Sequence, residues 1–304
     1  MRRINKIRNG STTENRAFFI IMLPFMVLFF LFNILPVLSS MALSLFDYDM
    51  VSSPLFIGAE NYIRMFTGDD VFLKIVGNTL RFSIVAGPLS YLLAFMLAWM
   101  INEFPRPVRV ILTFIFYAPA LVGNAYFIWQ VLFSNDSYGY LNNLLISFGF
   151  ITDPINWFQN TSYNMTIILI IQLWMSMGIS FLSNIAGLQN VNPELYEAGA
   201  IDGIRTRWHE LWYITLPSMK SILLFSAVMQ IQSVFSVSGI ITTLAGYPSV
   251  NNSVDTLVSY ITDIGTARYE MGYASALSVF LFLMVLAFRY IVGGLLNLVE
   301  KSDD

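Results

Sequence analysis

Amide and hydroxyl side chains stand inside otherwise apolar runs of this sequence, at spacings that a helix turns into stripes. Gln172, Ser176, Ser180 and Asn184 recur every four residues, which on one helix places them along a single slowly drifting face. Ser226, Gln230 and Ser233 make a second such face, and Asn124 stands alone in another run. Neutral donors and acceptors of this kind suit the hydroxyls of a sugar, and Trp129 or Trp174 offers a flat face for a pyranose ring. The same polar residues also serve as hydrogen-bonding glue between membrane helices. Spacing by itself leaves both uses open.

Other chemistry is excluded more firmly. The chain has no cysteine, which removes disulfides, thiolate metal sites and a cysteine nucleophile. Its one histidine, His209, lies in a loop, so neither a multi-histidine metal site nor a histidine-centred triad is expected, and no metal or catalytic residue is assigned. No Asp or Glu falls in the centre of an apolar run, and no pair of broken helices is evident, so an ion-coupled secondary transporter is the weaker reading.

The elements that must position these residues are membrane spans. Of 304 residues, 56% are hydrophobic and 12% charged; soluble domains carry roughly twice that share of charge. Apolar runs at 17–46, 77–101, 108–133, 164–189, 220–246 and 273–296 each approach or exceed the roughly 20 residues that cross a bilayer. The expectation is an all-α polytopic membrane protein of about six transmembrane helices, forming one domain over 1–304. Pro24 and Pro36 interrupt the first run and predict a kink there.

Orientation follows from the basic residues, which are held on the cytoplasmic side. Arg2, Arg3, Lys6, Arg8, Arg16, Arg106, Arg109, Arg205, Arg207, Lys220, Arg289 and Lys301 fall on one face, twelve of the sixteen. Arg64, Lys74, Arg81 and Arg268 fall on the other, where loop 134–163 has no basic residue at all. Both termini and loop 190–220 are therefore predicted to be cytoplasmic.

That loop is the most informative stretch. Asn192 suits a helix N-cap, Pro193 the first helical position, and Glu194 the positive helix end. Asp202-Gly203 stops the helix, a second amphipathic piece follows at 205–214, and Pro217 marks the turn back into the membrane. A protruding elbow results, with small residues Ala198, Gly199 and Ala200 allowing close approach of another protein. An amphipathic helix lying on lipid headgroups would also accommodate Trp208, Trp212 and Tyr213.

Glu197-Ala198-Gly199, Asp202-Gly203, Ile214 and Leu216-Pro217 resemble the EAA loop of the permeases of ATP-binding-cassette importers. Ile201-Asp202-Gly203 is similar to the carbohydrate-uptake branch. So are Phe56-Ile57-Gly58-Ala59-Glu60-Asn61-Tyr62 with Phe66, Asn78-Thr79-Leu80, Tyr117-Ala118-Pro119 with Trp129, and Gly139-Tyr140-Leu141-Asn142. The likeness spans nearly the whole chain. Two departures stand out. Gly199 replaces the second alanine, costing roughly 1 kcal/mol of helix propensity, and ten residues rather than nine separate Gly203 from Ile214, which predicts a rotated second elbow helix.

The resemblance implies the type I importer permease fold in a bacterial-type inner membrane. Its expected partners are a second permease subunit, two ATPase subunits, an external sugar-binding protein and membrane lipid, with no nucleic acid. Glu197, Ala198, Gly199, Asp202, Gly203, Leu216 and Pro217 would couple the chain to the ATPases, while Asn124, Gln172, Ser176, Ser180, Asn184, Gln230 and Ser233 are the candidate solute pathway. Non-sugar cargo (an amino acid, a polyamine or phosphate) is the nearest alternative. The sequence contains no Gly-Lys pair and hence no phosphate-binding loop of the usual type. ATP and Mg are accordingly expected on partner subunits, and no cofactor in this chain.

One consequence is directly testable. A Ser218→Cys variant of this cysteine-free chain is expected to resist an impermeant thiol reagent added outside intact cells, and to react once the membrane is opened. Labelling from outside would invert the topology.

Overall fold

The computed structural model describes residues 18–301, with side chains to residue 294. Arg2, Arg3, Lys6, Arg8 and Arg16, used above for orientation, and the side chain of Lys301 lie outside the described residues. The described chain is almost wholly helical, with one short antiparallel strand pair, Phe46–Asp47 against Leu55–Phe56. It forms two compact units.

The first unit comprises residues 18–65 with Ile264–Val279. Its long helix, Phe18–Leu43, is apolar enough to cross a membrane and has no buried residue. A π-helical turn at Phe30–Ile34 immediately precedes Pro36, whose missing N–H cannot continue the regular ladder. Beyond it, Asn61 donates to the carbonyls of Ser44 (2.9 Å) and Phe46 (3.0 Å), and the Tyr62 hydroxyl meets Ser44 Oγ at 2.8 Å. A Cβ on Gly272 would lie 2.0 Å from the Phe46 carbonyl oxygen, so only glycine permits this approach.

The second unit comprises Phe66–Asp263 with residues 280–301. Its centre is the 31-residue helix Phe72–Asn102, packed against Ile179–Asn190 and Lys220–Phe235. Small residues make that packing close: Ala86, Ser90, Ala94 and Ala98 are buried along one face of the central helix, and Ser180 Oγ meets Ser226 Oγ at 2.5 Å.

Four described helices are long and apolar enough to cross a membrane: Phe18–Leu43, Phe72–Asn102, Lys220–Leu244 and Met271–Gly294. Two expected spans are broken instead of continuous. The run at 164–189 forms Asn164–Met175 and Ile179–Asn190, bent by 41° and together long enough to count as a fifth span. The run at 108–133 forms Arg106–Val122, which ends at Gly123 with φ of +71°, and the short helix Phe127–Leu132. Gln172, Ser176, Ser180 and Asn184 therefore do not share one helix face: the stripe crosses the bend.

Away from loop 190–220, the connections are tied to the bundle. Asn78 donates to the carbonyls of Asn252 (2.7 Å) and Asp255 (3.2 Å), Thr79 Oγ1 accepts from the Leu257 N–H, and Asn164 donates to Ser253 Oγ. Asp255 is fully buried between these contacts, and burial pushes its carboxyl above the ordinary range. Loop 134–163 is organised by one side chain. Asn142, 0% exposed, donates to the carbonyls of Ser134, Asp136 and Ile155 and accepts from the Ile155 N–H and Trp157 Nε1.

Replacing Asn142 by Ala leaves several buried backbone groups unpaired, at about 1–3 kcal/mol for each group that water cannot reach. Limited proteolysis is expected to cut Asn142→Ala within 134–163 while wild type stays intact; equal resistance would show that the loop does not depend on this hub.

A solute cavity at helix breaks and a protruding elbow

A cavity of about 560 Å³ opens in the second unit where its helices are interrupted. Gly123, Asn124 and Tyr126 come from the first break, Ser176 and Gly178 from the second, and Ser236 and Val237 from the junction between Lys220–Phe235 and Ser238–Leu244. In hydrocarbon an unpaired N–H or C=O costs several kcal/mol, so helices at membrane depth break only where protein or a wet cavity takes up the freed groups. Three breaks around one cavity meet that requirement together.

The cavity gathers six of the seven residues of the candidate solute pathway: Asn124, Gln172, Ser176, Ser180, Gln230 and Ser233. Asn124 accepts from the Tyr126 hydroxyl at 3.1 Å, and Gln172 Nε2 reaches Ser233 Oγ at 3.3 Å. Ser176 Oγ bonds back to the Leu173 carbonyl at 2.6 Å. The amide nitrogen of Gln230 is buried without a partner among the described residues. Among the described residues, no charged side chain lines the cavity. Asn184 does not belong to it. One turn beyond Ser180, Asn184 is fully buried, and neither of its amide atoms has a partner among the described residues. The sequence reading missed Gln232 and Ser236, which are exposed on the cavity wall, and the helix breakers Gly123 and Gly178. The two glycines inside apolar runs were the available signal.

The second feature is the elbow. The Asn192 side chain accepts from the Glu194 N–H at 3.1 Å and caps the helix Pro193–Ile201. At its far end Gly203 takes φ of +94°, the Gly203 N–H bonds the Ala200 carbonyl, and the Ile204 N–H bonds the Gly199 carbonyl at 2.9 Å. This is a Schellman closure, whose left-handed backbone at Gly203 favours a residue without a Cβ. Thr206 caps the second piece by accepting from the His209 N–H, and Arg207–Glu210 runs into a π-helical turn, Leu211–Thr215. The helical stretch thus starts two residues later than the expected 205–214 and runs past it to Ser218. Leu211, Ile214 and Thr215 are buried, whereas Trp212 and Tyr213 are exposed.

Gly199 accounts for the close fit of the two pieces. A Cβ there would lie 2.7 Å from Ile214 Cδ1 and 3.3 Å from Ile204 Cδ1. The base of the elbow is bolted to the central helix. Arg207 pairs with Glu210 at 2.6 Å and with Glu103 at 3.1 Å, and the hydrogen bond to Glu210 followed by the charge of Glu103 raises its pKa further. Trp208 lies against Trp99, with ring centroids 5.2 Å apart. Leu216 packs on the cluster of Leu211, Ile214 and Leu188, whereas Pro217 is exposed at the turn. The tip differs: Glu197, Ala198 and Asp202 are exposed, Ile201 is 87% exposed, and no ion pair engages Glu197 among the described residues.

Residues 86–302 match the family of binding-protein-dependent transport system inner membrane components, and the chain belongs to that family. It is 30% identical to the probable ABC transporter permease protein YesP of Bacillus subtilis (strain 168) over 271 residues, 87% of this chain and 85% of that relative. It is 31% identical to the arabinooligosaccharides transport system permease protein AraP of the same organism, over 86% of this chain and 83% of that one. The lactose transport system permease protein LacF of Rhizobium radiobacter is 28% identical, with 88% of this chain and 90% of the relative covered. Its fold is shared with a chain of the bacterial ABC transporter involved in the import of the acidic polysaccharide alginate, with a TM-score of 0.77, 22% identity and 95% and 97% of the two chains covered.

The fit at Gly199 sets a size limit. Gly199→Ala is expected to be tolerated, because the obstructing atom is the mobile end of Ile214 and alanine regains about 1 kcal/mol of helix propensity. Gly199→Leu is expected to pry the two pieces apart, read as new protease cleavage within 192–217. An elbow equally resistant in both variants would show that the close fit is dispensable.

Proposed function

We propose that this chain is a permease subunit of an ATP-driven importer that carries a neutral sugar or oligosaccharide across the membrane by alternating access. The observation that carries the reading is the elbow, with a base fixed to the central helix and an acidic, partly apolar tip without an ion pair. Such a tip suits a protein partner more than lipid headgroups, because Glu197 and Asp202 face outward beside Ile201. In this reading the tip docks into a basic cleft on an ATPase subunit. Two such subunits hold ATP and Mg, a second permease completes the pathway, and an external binding protein delivers the cargo. Both termini and the elbow face the cytoplasm, as the basic residues require.

The cavity supports the cargo class. Its amides and hydroxyls match sugar hydroxyls, and it offers no charge to pair with the ammonium or carboxylate of an amino acid, the amines of a polyamine, or phosphate. The names of its relatives, which refer to arabinooligosaccharides, lactose and trehalose/maltose, favour the same class.

Glu197→Lys tests the docking role. A charge pair lost at a buried interface costs roughly 2–5 kcal/mol, and the new lysine adds repulsion. Solute uptake and co-purification of the ATPase are both expected to fall about 30-fold or more, while insertion and membrane level hold. Glu194→Gln, one turn earlier in the same helix, is the control. Full uptake and full ATPase retention in Glu197→Lys would refute the assignment.

A further inference from the structure

The sugar cavity leaves unexplained a run of aromatic side chains between it and the opposite end of the unit from the elbow. Tyr163, Trp157, Phe133, Trp129 and Trp174 form an unbroken series, with successive ring centroids 6.0, 5.6, 5.8 and 5.6 Å apart. They come from separate segments: the loop before Asn164–Met175, that helix itself, and the short helix Phe127–Leu132 with its C-cap. We propose that this series is a stacking track that passes the sugar rings of an oligosaccharide from an outer groove to the cavity.

Both ends of the series are polar and uncharged. Trp174 directly precedes Met175 and Ser176, and Trp129 stands one turn after Tyr126; all three of those neighbours line the cavity. At the other end Trp157 and Tyr163 bracket Gln159, Asn160 and Thr161, which with Asn156 and Asn251 line a groove of about 450 Å³. That groove lies between loop 134–163 and the 246–256 connection, on the face assigned to the outside.

The rings are also not sealed in the core. Phe158, beside them, is 3% exposed, whereas Trp129, Phe133, Trp157 and Trp174 are half-buried and Tyr163 is 45% exposed. Trp129, Phe133 and Trp157 pack against the buried core while part of their surface stays open. A pyranose presents C–H groups on its ring faces and hydroxyls around its rim. The C–H faces complement the negative faces of aromatic rings, and the rim complements amides at either end. Tyr163 and Trp174 are eleven residues apart, about 16 Å along a helix, so the series outreaches a single sugar ring and favours a chain of them. A sequence of similar weak contacts, none much stronger than the next, lets such a chain advance without a deep trap.

The proposal rests on the sugar reading above, and the test separates the two. Uptake of arabino-, galacto- and malto-oligosaccharides, and of the matching monosaccharides, is measured with the whole importer in cells. Variants are Trp129→Leu and Phe133→Leu, which keep apolar bulk without a ring face, and Trp129→Phe and Phe133→Tyr, which keep the ring. Trp129 suits the comparison because its buried indole N–H has no partner among the described residues, so Trp129→Phe removes no hydrogen bond. The Leu variants are expected to lower kcat/KM for the oligosaccharides about tenfold or more, to spare monosaccharide uptake, and to reach normal membrane levels; the aromatic variants stay close to wild type. Leu variants that handle oligosaccharides normally, or that lose mono- and oligosaccharides alike, overturn the track and leave the sugar reading standing. A wild-type importer that takes up none of these sugars overturns both.

Discussion

The rest of this structure depends on the cost of an unpaired backbone group in hydrocarbon. That cost forces the apolar runs into helices and restricts every interruption to a place where freed N–H and C=O groups find partners. Gly123, Ser176–Gly178 and Ser236–Val237 interrupt three successive segments around one cavity. The same constraint that builds the bundle therefore also marks the pathway. Polar side chains gather there for the same reason: Gln172, Gln230 and Ser233 are tolerable where water or a hydroxyl-bearing solute can reach them, and expensive elsewhere.

A second economy governs the elbow. Short helices are marginal by themselves, because nucleation is costly and each end leaves orphan backbone groups. Here the first piece is only nine residues long, yet Asn192 closes one end and the Gly203 turn the other. The second piece begins at Thr206 and is held by Arg207 to Glu103 and by Trp208 against Trp99. What holds the elbow together is thus local capping chemistry and a few contacts at its base. Its tip is left free of internal obligations, as a docking surface requires.

This division explains what the sequence could and could not reveal. Caps are local, so Asn192, Pro193, Asp202 and Gly203 could be read directly, and each stands where its residue type demands. The spans were legible from composition, and of the polar residues standing within them six line one cavity. The breaks were not legible, because a run such as 164–189 is equally apolar whether straight or bent; only packing decides. Asn184 illustrates the cost: four-residue spacing carried it into the stripe, but the bend before Ile179 leaves it one turn away from the cavity. Gly199 was read as a loss of helix propensity, and its real work, giving room to Ile214, depends on a residue fifteen positions away. Asn142 was noticed only as part of a resemblance, since nothing local announces that one amide will hold a loop.

The helix Phe18–Leu43 has a further consequence. It buries none of its residues in this chain, so its hold on the bilayer owes nothing to later parts of the sequence. Without a charged residue between Phe18 and Leu43, and apolar for most of that length, it favours lipid by itself. Such a helix can enter the bilayer without waiting for the central helix to fold.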